Sequence, residues 1–333
     1  MTGLRRLCLS AALLCGCGFY PFDPAVPKAL VGEKARTLLS GRLSLWVQRL
    51  SGSVLSLEVG NGSFVVSEVP ELADLAAFIP GSEGYALDAQ RRLTPSSSQA
   101  TGVIAAAHWP GGTECYVRAD RAAVCLDNNL SEYTLTATGS AQAITATTEQ
   151  ACVVRTSGDV DCFAIDEGGA FGPAQRIAGI RGATAIASAM DTAGTTYTCA
   201  LVNDEMGRGR VRCWGANYVG QLGSGVVTTQ SLGPQTVQDA RGNELSGVTQ
   251  IDVKSGRGCA VDEKGSVWCW GTSVFAHKDS RAAAQVAKLR TATWVSIGGW
   301  MDCALLMDAT VACWGDGRTI DLNPALVFVP LPS

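Results

Sequence analysis

Cys259-Ala260-Val261-Asp262-Glu263-Lys264-Gly265-Ser266-Val267-Trp268-Cys269 is an apolar run, a polar turn holding one glycine, and a second apolar run, with cysteine at both ends. Two strands joined by a three-residue hairpin loop have this pattern. The ten-position separation is even, so in paired strands both sulfurs fall on one face. The module recurs as Cys115 with Cys125, Cys152 with Cys162, Cys199 with Cys213, and Cys303 with Cys313, ten positions apart except for the fourteen between Cys199 and Cys213. These ten residues are expected to form five disulfides, each inside one hairpin. Zinc would require close Cys-x-x-Cys pairs, and these intervals are too wide for it.

A second pattern stands before each pair: Ala141 to Ala146, Ala183 to Ser188, Val248 to Val253 and Trp294 to Gly299, with Thr101 to Ala106 ahead of Cys115. Each segment is a short strand with small residues where backbones approach closely. The repeat continues without cysteine. Aligning Gly52-Ser53-Val54 on Gly265-Ser266-Val267 puts Trp46 and Ser56 at the cysteine positions, and in the next copy Tyr85 and Pro95 take them. Seven hairpins result, centred near residues 51, 90, 120, 157, 206, 264 and 308. Strand and turn repeating every thirty to sixty residues is the mark of a β-propeller. The expected fold is all-β, a seven-bladed β-propeller of four-stranded antiparallel blades with intrablade disulfides.

The amino terminus has its own signature. Arg5 and Arg6 precede the apolar stretch Leu7 to Leu14, as in a secretory signal, and the stretch is too short to span a bilayer. Leu14-Cys15-Gly16-Cys17 resembles a bacterial lipobox with Cys17 as lipid acceptor; ordinary cleavage near Gly16 or Gly18 is the alternative. Removing residues 1–16 discards Cys8 and Cys15, and lipidation of Cys17 leaves an even ten. The expected division is a signal in 1–16, a lipidated N-terminus and tether with Pro21, Pro24 and Pro27 in 17–40, and the propeller in 41–333. Gly18 after the acceptor favours the bacterial outer membrane, with the lipid anchor as the sole membrane contact. Near the other terminus, the apolar run Leu326 to Val329 is expected to complete a blade begun by the amino-terminal strands.

Cys213-Trp214-Gly215-Ala216-Asn217-Tyr218-Val219-Gly220-Gln221-Leu222-Gly223, followed by Pro234, resembles the repeat of the regulator of chromosome condensation family, with weaker echoes in Cys269-Trp270-Gly271 and Cys313-Trp314-Gly315. The resemblance implies seven blades. Trp214, Trp270 and Trp314 each follow a cysteine directly, so they point to the opposite strand face and are expected to fill the space between blades.

Thirty acidic and twenty-six basic residues give a net charge of −4, which loss of Arg5 and Arg6 takes to −6. Nucleic acid needs a basic stripe and is excluded as a partner. His108 and His277 are the two histidines, and neither sits at the spacing of a ligand set or a nucleophile's base. No nucleophile elbow, phosphate loop or paired-carboxylate motif is present. No catalytic residue, metal, cofactor or small-molecule substrate is therefore expected. Nuclear members of the family exchange guanine nucleotide on Ran, whereas a secreted relative that inhibits β-lactamase grips a protein with one broad face. The resemblance thus points to an envelope lipoprotein that binds an unknown protein through loops on one face. The alternatives are a carbohydrate-binding or structural envelope protein, or an enzyme with its site at the central channel. Trp109, Tyr218, Phe275 and Trp300 are the candidate binding residues, with the segments Asn203 to Arg210, lengthened by four residues, and Ser224 to Ser246 as candidate partner loops.

Overall fold

The computed structural model describes residues 35–40, 44–49, 51, 53–60, 63–70, 77–78, 86–88, 90–94, 100–108, 114–127, 129–136, 139–191, 193–272, 280–286, 289–299, 302–308, 310–314 and 327–329. Cys17 and the rest of the expected signal and anchor lie outside them, as do Tyr85, Pro95, Trp109, Phe275, His277 and Trp300.

Among the described residues the chain forms seven antiparallel sheets, each an open meander of consecutive strands. The first holds β1 (Ala35–Ser40), β2 (Ser44–Arg49), β3 (Val54–Gly60) and β4 (Ser63–Glu68), and the second β5 (Ala77–Phe78), β6 (Ala86–Leu87) and β7 (Leu93–Thr94). The third holds β8 (Val103–His108), β9 (Glu114–Arg118), β10 (Ala123–Leu126) and β11 (Glu132–Thr136). The fourth holds β12 (Ala141–Ala146), β13 (Gln150–Arg155), β14 (Val160–Ala164) and β15 (Gln175–Arg176). β16 (Ala183–Met190), β17 (Thr196–Asn203), β18 (Gly209–Ala216) and β19 (Gln230–Thr236) make the fifth. β20 (Val248–Lys254), β21 (Arg257–Asp262), β22 (Val267–Gly271) and β23 (Ser280–Gln285) make the sixth. The seventh is β24 (Ala292–Ile297), β25 (Asp302–Leu306), β26 (Val311–Trp314) and β27 (Val327–Val329).

The cysteine register holds in all five hairpins. Each pair sits directly across the ladder between the second and third strands of its sheet, with Cα atoms 4.0 to 4.1 Å apart, and each is bridged. Trp46 faces Ser56 at the same place in the first sheet. In the second sheet Ala86 faces Thr94 and Leu87 faces Leu93.

Every interface between successive sheets is an apolar cluster. The disulfides face forward: Cys199 and Cys213 join Val248, Ile251 and Val253 of the sixth sheet, and Cys259 and Cys269 join Val295 and Ile297 of the seventh. The tryptophans face back. Trp214 packs among Val154 and Val160 of the fourth sheet, Trp270 among fifth-sheet residues, and Trp314 among sixth-sheet residues. Opposite orientation of neighbouring residues along a strand produces this division. The last cluster joins distant parts of the chain, since Leu45, Val47 and Leu55 of the first sheet share it with Cys303, Leu305, Val311 and Cys313 of the seventh.

Four expectations change. The first sheet begins at Ala35, inside the expected tether, because Leu39 is buried opposite Trp46. The second sheet shows three strands rather than four among the described residues. Val327 pairs with Cys313, so β27 completes the seventh sheet from its own carboxyl side and does not join an amino-terminal blade. The four extra residues around Met206 lengthen the ladder rather than the loop: Val202 pairs with Arg210 and Asn203 with Gly209, and the turn keeps the size of the one at Gly265.

Candidate functional site

The first strands of successive sheets run side by side in one direction. Thr145 Oγ1 accepts the Ser188 N–H at 2.8 Å, and Asp252 Oδ2 accepts the Ile297 N–H at 2.7 Å. Gln250 clamps Val295 twice, its Oε1 accepting the N–H at 2.9 Å and its Nε2 donating to the carbonyl at 3.1 Å. These side chains satisfy backbone groups that a strand edge leaves unpaired. A residue bulges near the start of the first strand in six sheets. At three of the bulges threonine closes the gap: Thr184, Thr249 and Thr293 donate to the carbonyls of Leu201, Val261 and Leu305.

Between these strands lies a cavity of about 220 Å³, lined by residues of five sheets that include Ala107, Ala146, Ala187, Ile251 and Trp294. Its polar members, Thr145, Ser188, Thr249 and Gln250, are committed to the bonds just described or, for Ser188, to Thr198 as well. The small residues that mark these strands in the sequence allow their close approach.

Strand direction sorts the connections into two ends. Those from first to second and from third to fourth strand lie at one end, here the upper; those from second to third and from fourth to the next first strand lie at the lower. The segment after Trp214 is the main upper connection. Gly215 turns the chain at φ 99°, where a Cβ would stand 2.6 Å from the Thr196 carbonyl. Asn217 then accepts the Leu222 N–H at 3.2 Å and donates to the Val226 carbonyl and the Thr228 hydroxyl, both at 3.1 Å. Gln221 is wholly buried; it donates to Asp191 at 3.0 Å, and its carbonyl accepts the Trp270 indole N–H at 3.0 Å. Gly223 leaves the room that the same indole occupies. The Asn, Gly-Gln-Leu-Gly and following Trp-Gly elements thus latch one sheet onto the next.

A buried polar cluster lies below the upper end where three sheets meet. Arg257 and Asp302 form an ion pair at 3.0 Å with both side chains at most 4% exposed. Arg257 also donates to the Gly298 carbonyl at 2.7 Å, and its own carbonyl accepts the Tyr197 hydroxyl at 2.7 Å. Burial pushes the Asp252 carboxyl up to about 7 against the opposing Ile297 N–H, Lys254 and Val253 N–H, and it raises Asp302 and Tyr197 too. Among the described residues no three His, Cys, Asp or Glu side chains are grouped to hold a metal.

Tyr218 lies in an upper connection and is 49% exposed. Trp109, Phe275 and Trp300 lie outside the described residues. Leu130, Val226 and Val227 are exposed in upper connections, and Tyr133, just past one, stacks on Phe171 with ring centres 5.1 Å apart. The long segment Ser224 to Ser246 is not a free loop, because it contains β19. Pro234 falls where β19 and β18 lose register, as an edge strand allows, and Leu232 beside it stands fully out.

One signal was missed in the sequence. Asp166, Asp191, Asp204, Asp239 and Asp262 each precede a glycine by three positions, and each carboxylate accepts the N–H groups two and four residues on. The glycines take positive φ, closing the turn.

No protein-family model matches the chain, and no curated protein matches it. Solved structures do. Human WBSCR16 is 13% identical with a TM-score of 0.54, over 90% of this chain and 82% of that one. Yeast RCC1 (Prp20) bound to Kap60 is 12% identical with a TM-score of 0.50, over 86% and 71%. The computationally designed Ika8 protein is 13% identical with a TM-score of 0.50, over 89% and 88%. At such identities the likeness concerns the fold, the β-propeller of the RCC1 homologues.

Proposed function

We propose that this chain is a non-catalytic lipoprotein of the bacterial cell envelope, anchored through Cys17, whose seven-bladed propeller grips another protein through its upper connections. The observation that carries the proposal is the exposure of Leu130, Tyr218, Val226 and Val227 in upper connections. Four exposed apolar side chains at the upper end, against Met206 and Met307 at the lower, favour a protein partner there. Yeast RCC1 was solved bound to Kap60, and a further structure of Prp20p from Saccharomyces cerevisiae was reported with its binding to Gsp1p and histones, so similar scaffolds do bind proteins. In this proposal the seven sheets close a ring through the packing of Leu45, Val47 and Leu55 on the seventh sheet. The ring holds the upper connections in fixed relation.

The test is a photo-crosslinking side chain at position 218 or, as a control, at position 206 on the lower end, in the native envelope. Protein adducts identified by mass spectrometry from position 218 alone are expected. Adducts only to lipid, or only from position 206, overturn the proposal.

A further inference from the structure

Charge differs between the two ends among the described residues. The upper connections with described residues include 127–131, 147–149, 165–174, 191–195, 217–229, 255–256, 272 and 298–299. Among their described residues are Asp127, Glu149, Asp166, Glu167 and Asp191, and no lysine, arginine or histidine. The described residues of the lower connections include eight cations, Arg121, Arg181 and Arg290 among them, against nine carboxylates. Ion pairs also close within that end, as between Arg208 and Asp204 at 3.3 Å and between Arg92 and Asp88 at 2.7 Å.

The five upper carboxylates have no such partner among the described residues. Asp127, Asp166 and Asp191 accept backbone N–H groups, and Glu149 accepts the Thr196 N–H and hydroxyl. Those bonds orient the carboxylates and leave their charge. Among the cations at the upper strand ends, Arg257 is held in the buried ion pair with Asp302.

The acidic and apolar groups form one continuous arc. Tyr133 stacks on Phe171 across the third and fourth sheets. Glu149 binds Thr196 across the fourth and fifth, and Asp191 holds Gln221 in the connection that carries Tyr218. A surface bearing exposed Glu149, Asp166 and Glu167, which have no cationic partner among the described residues, set among exposed aromatic and aliphatic side chains complements the opposite charge with an apolar anchor.

We propose that the arc from Tyr133 to Tyr218 receives a cationic protein segment bearing an apolar side chain. This deepens the upper-end reading and rests on it. The nearly neutral lower end lacks the field that would steer such a partner.

Calorimetric titration of the full mature chain with a short lysine-rich peptide carrying one tryptophan, and with its glutamate-for-lysine counterpart, tests the proposal. Binding of the lysine peptide alone is expected, weaker at about 300 mM than at about 20 mM salt. Glu167→Lys and Tyr218→Ala, both at exposed positions, should each weaken it roughly tenfold, and Lys264→Glu at the lower end should leave it unchanged. Equal binding of the glutamate peptide, an unaffected Glu167→Lys variant, or no binding of the lysine peptide overturns the charge assignment. Sensitivity to Tyr218→Ala with either peptide would leave the upper-end reading standing, whereas sensitivity to Lys264→Glu alone would sink that reading as well.

Discussion

At the scale of single residues, Asp252 is the least ordinary group. It is a carboxyl almost without exposure, held between two backbone N–H groups and facing Lys254 and Asp302, the latter paired with Arg257. Its folded pKa of about 7 exceeds the ordinary 3.8, so the native chain keeps a proton that the unfolded chain releases. Its contribution to stability is fully present below pH 3.8 and is lost as pH rises through 7. Denaturant unfolding at steps between pH 5 and 8 should therefore show stability falling with pH, and Asp252→Asn should flatten the slope. An unchanged slope in the variant would remove Asp252 as its source. Gly215 makes a second prediction: an alanine there would combine positive φ with a methyl 2.6 Å from a carbonyl oxygen, costing on the order of 2 kcal/mol or more in a thermal melt. The sequence marked Gly215 and Gln221 through the repeat motif. It did not mark Asp252, whose environment is built in part by Ile297 and Asp302, 45 and 50 positions away.

At the scale of elements, parity made the hairpins legible. An even separation puts both cysteines on one face whichever turn joins them, and the register holds even for Trp46 and Ser56, where there is no sulfur. Length was less legible. A four-residue insertion adds two residues to each strand as readily as four to a loop, and both preserve parity; the structure extends the ladder to Asn203 and Gly209. Edge strands such as β19 were hidden because a strand paired on one side tolerates Gly233, Pro234 and polar residues that read as loop. Replacing Cys259 and Cys269 together by alanine should cost about 3 kcal/mol, mainly by freeing the unfolded chain. Urea unfolding under oxidising conditions gives the number, and a negligible loss would mean that packing alone holds that hairpin.

At the scale of the whole molecule, the repeat count anticipated the seven sheets described, but neither the way the first meets the last nor the charge division between the ends was visible. Both depend on which end each connection occupies, and a linear sequence shows this only once strand direction is known. The first-to-last packing is the proposition on which the ring, and with it the fixed arrangement of the upper connections, depends. Leu45 and Leu305 stand 260 positions apart in the chain and share one buried cluster. A double-mutant cycle of Leu45→Ala and Leu305→Ala, read by denaturant unfolding, measures that contact most directly. The account predicts a coupling of roughly 0.5 to 3 kcal/mol between the two substitutions; additive losses would contradict a ring closed through these sheets.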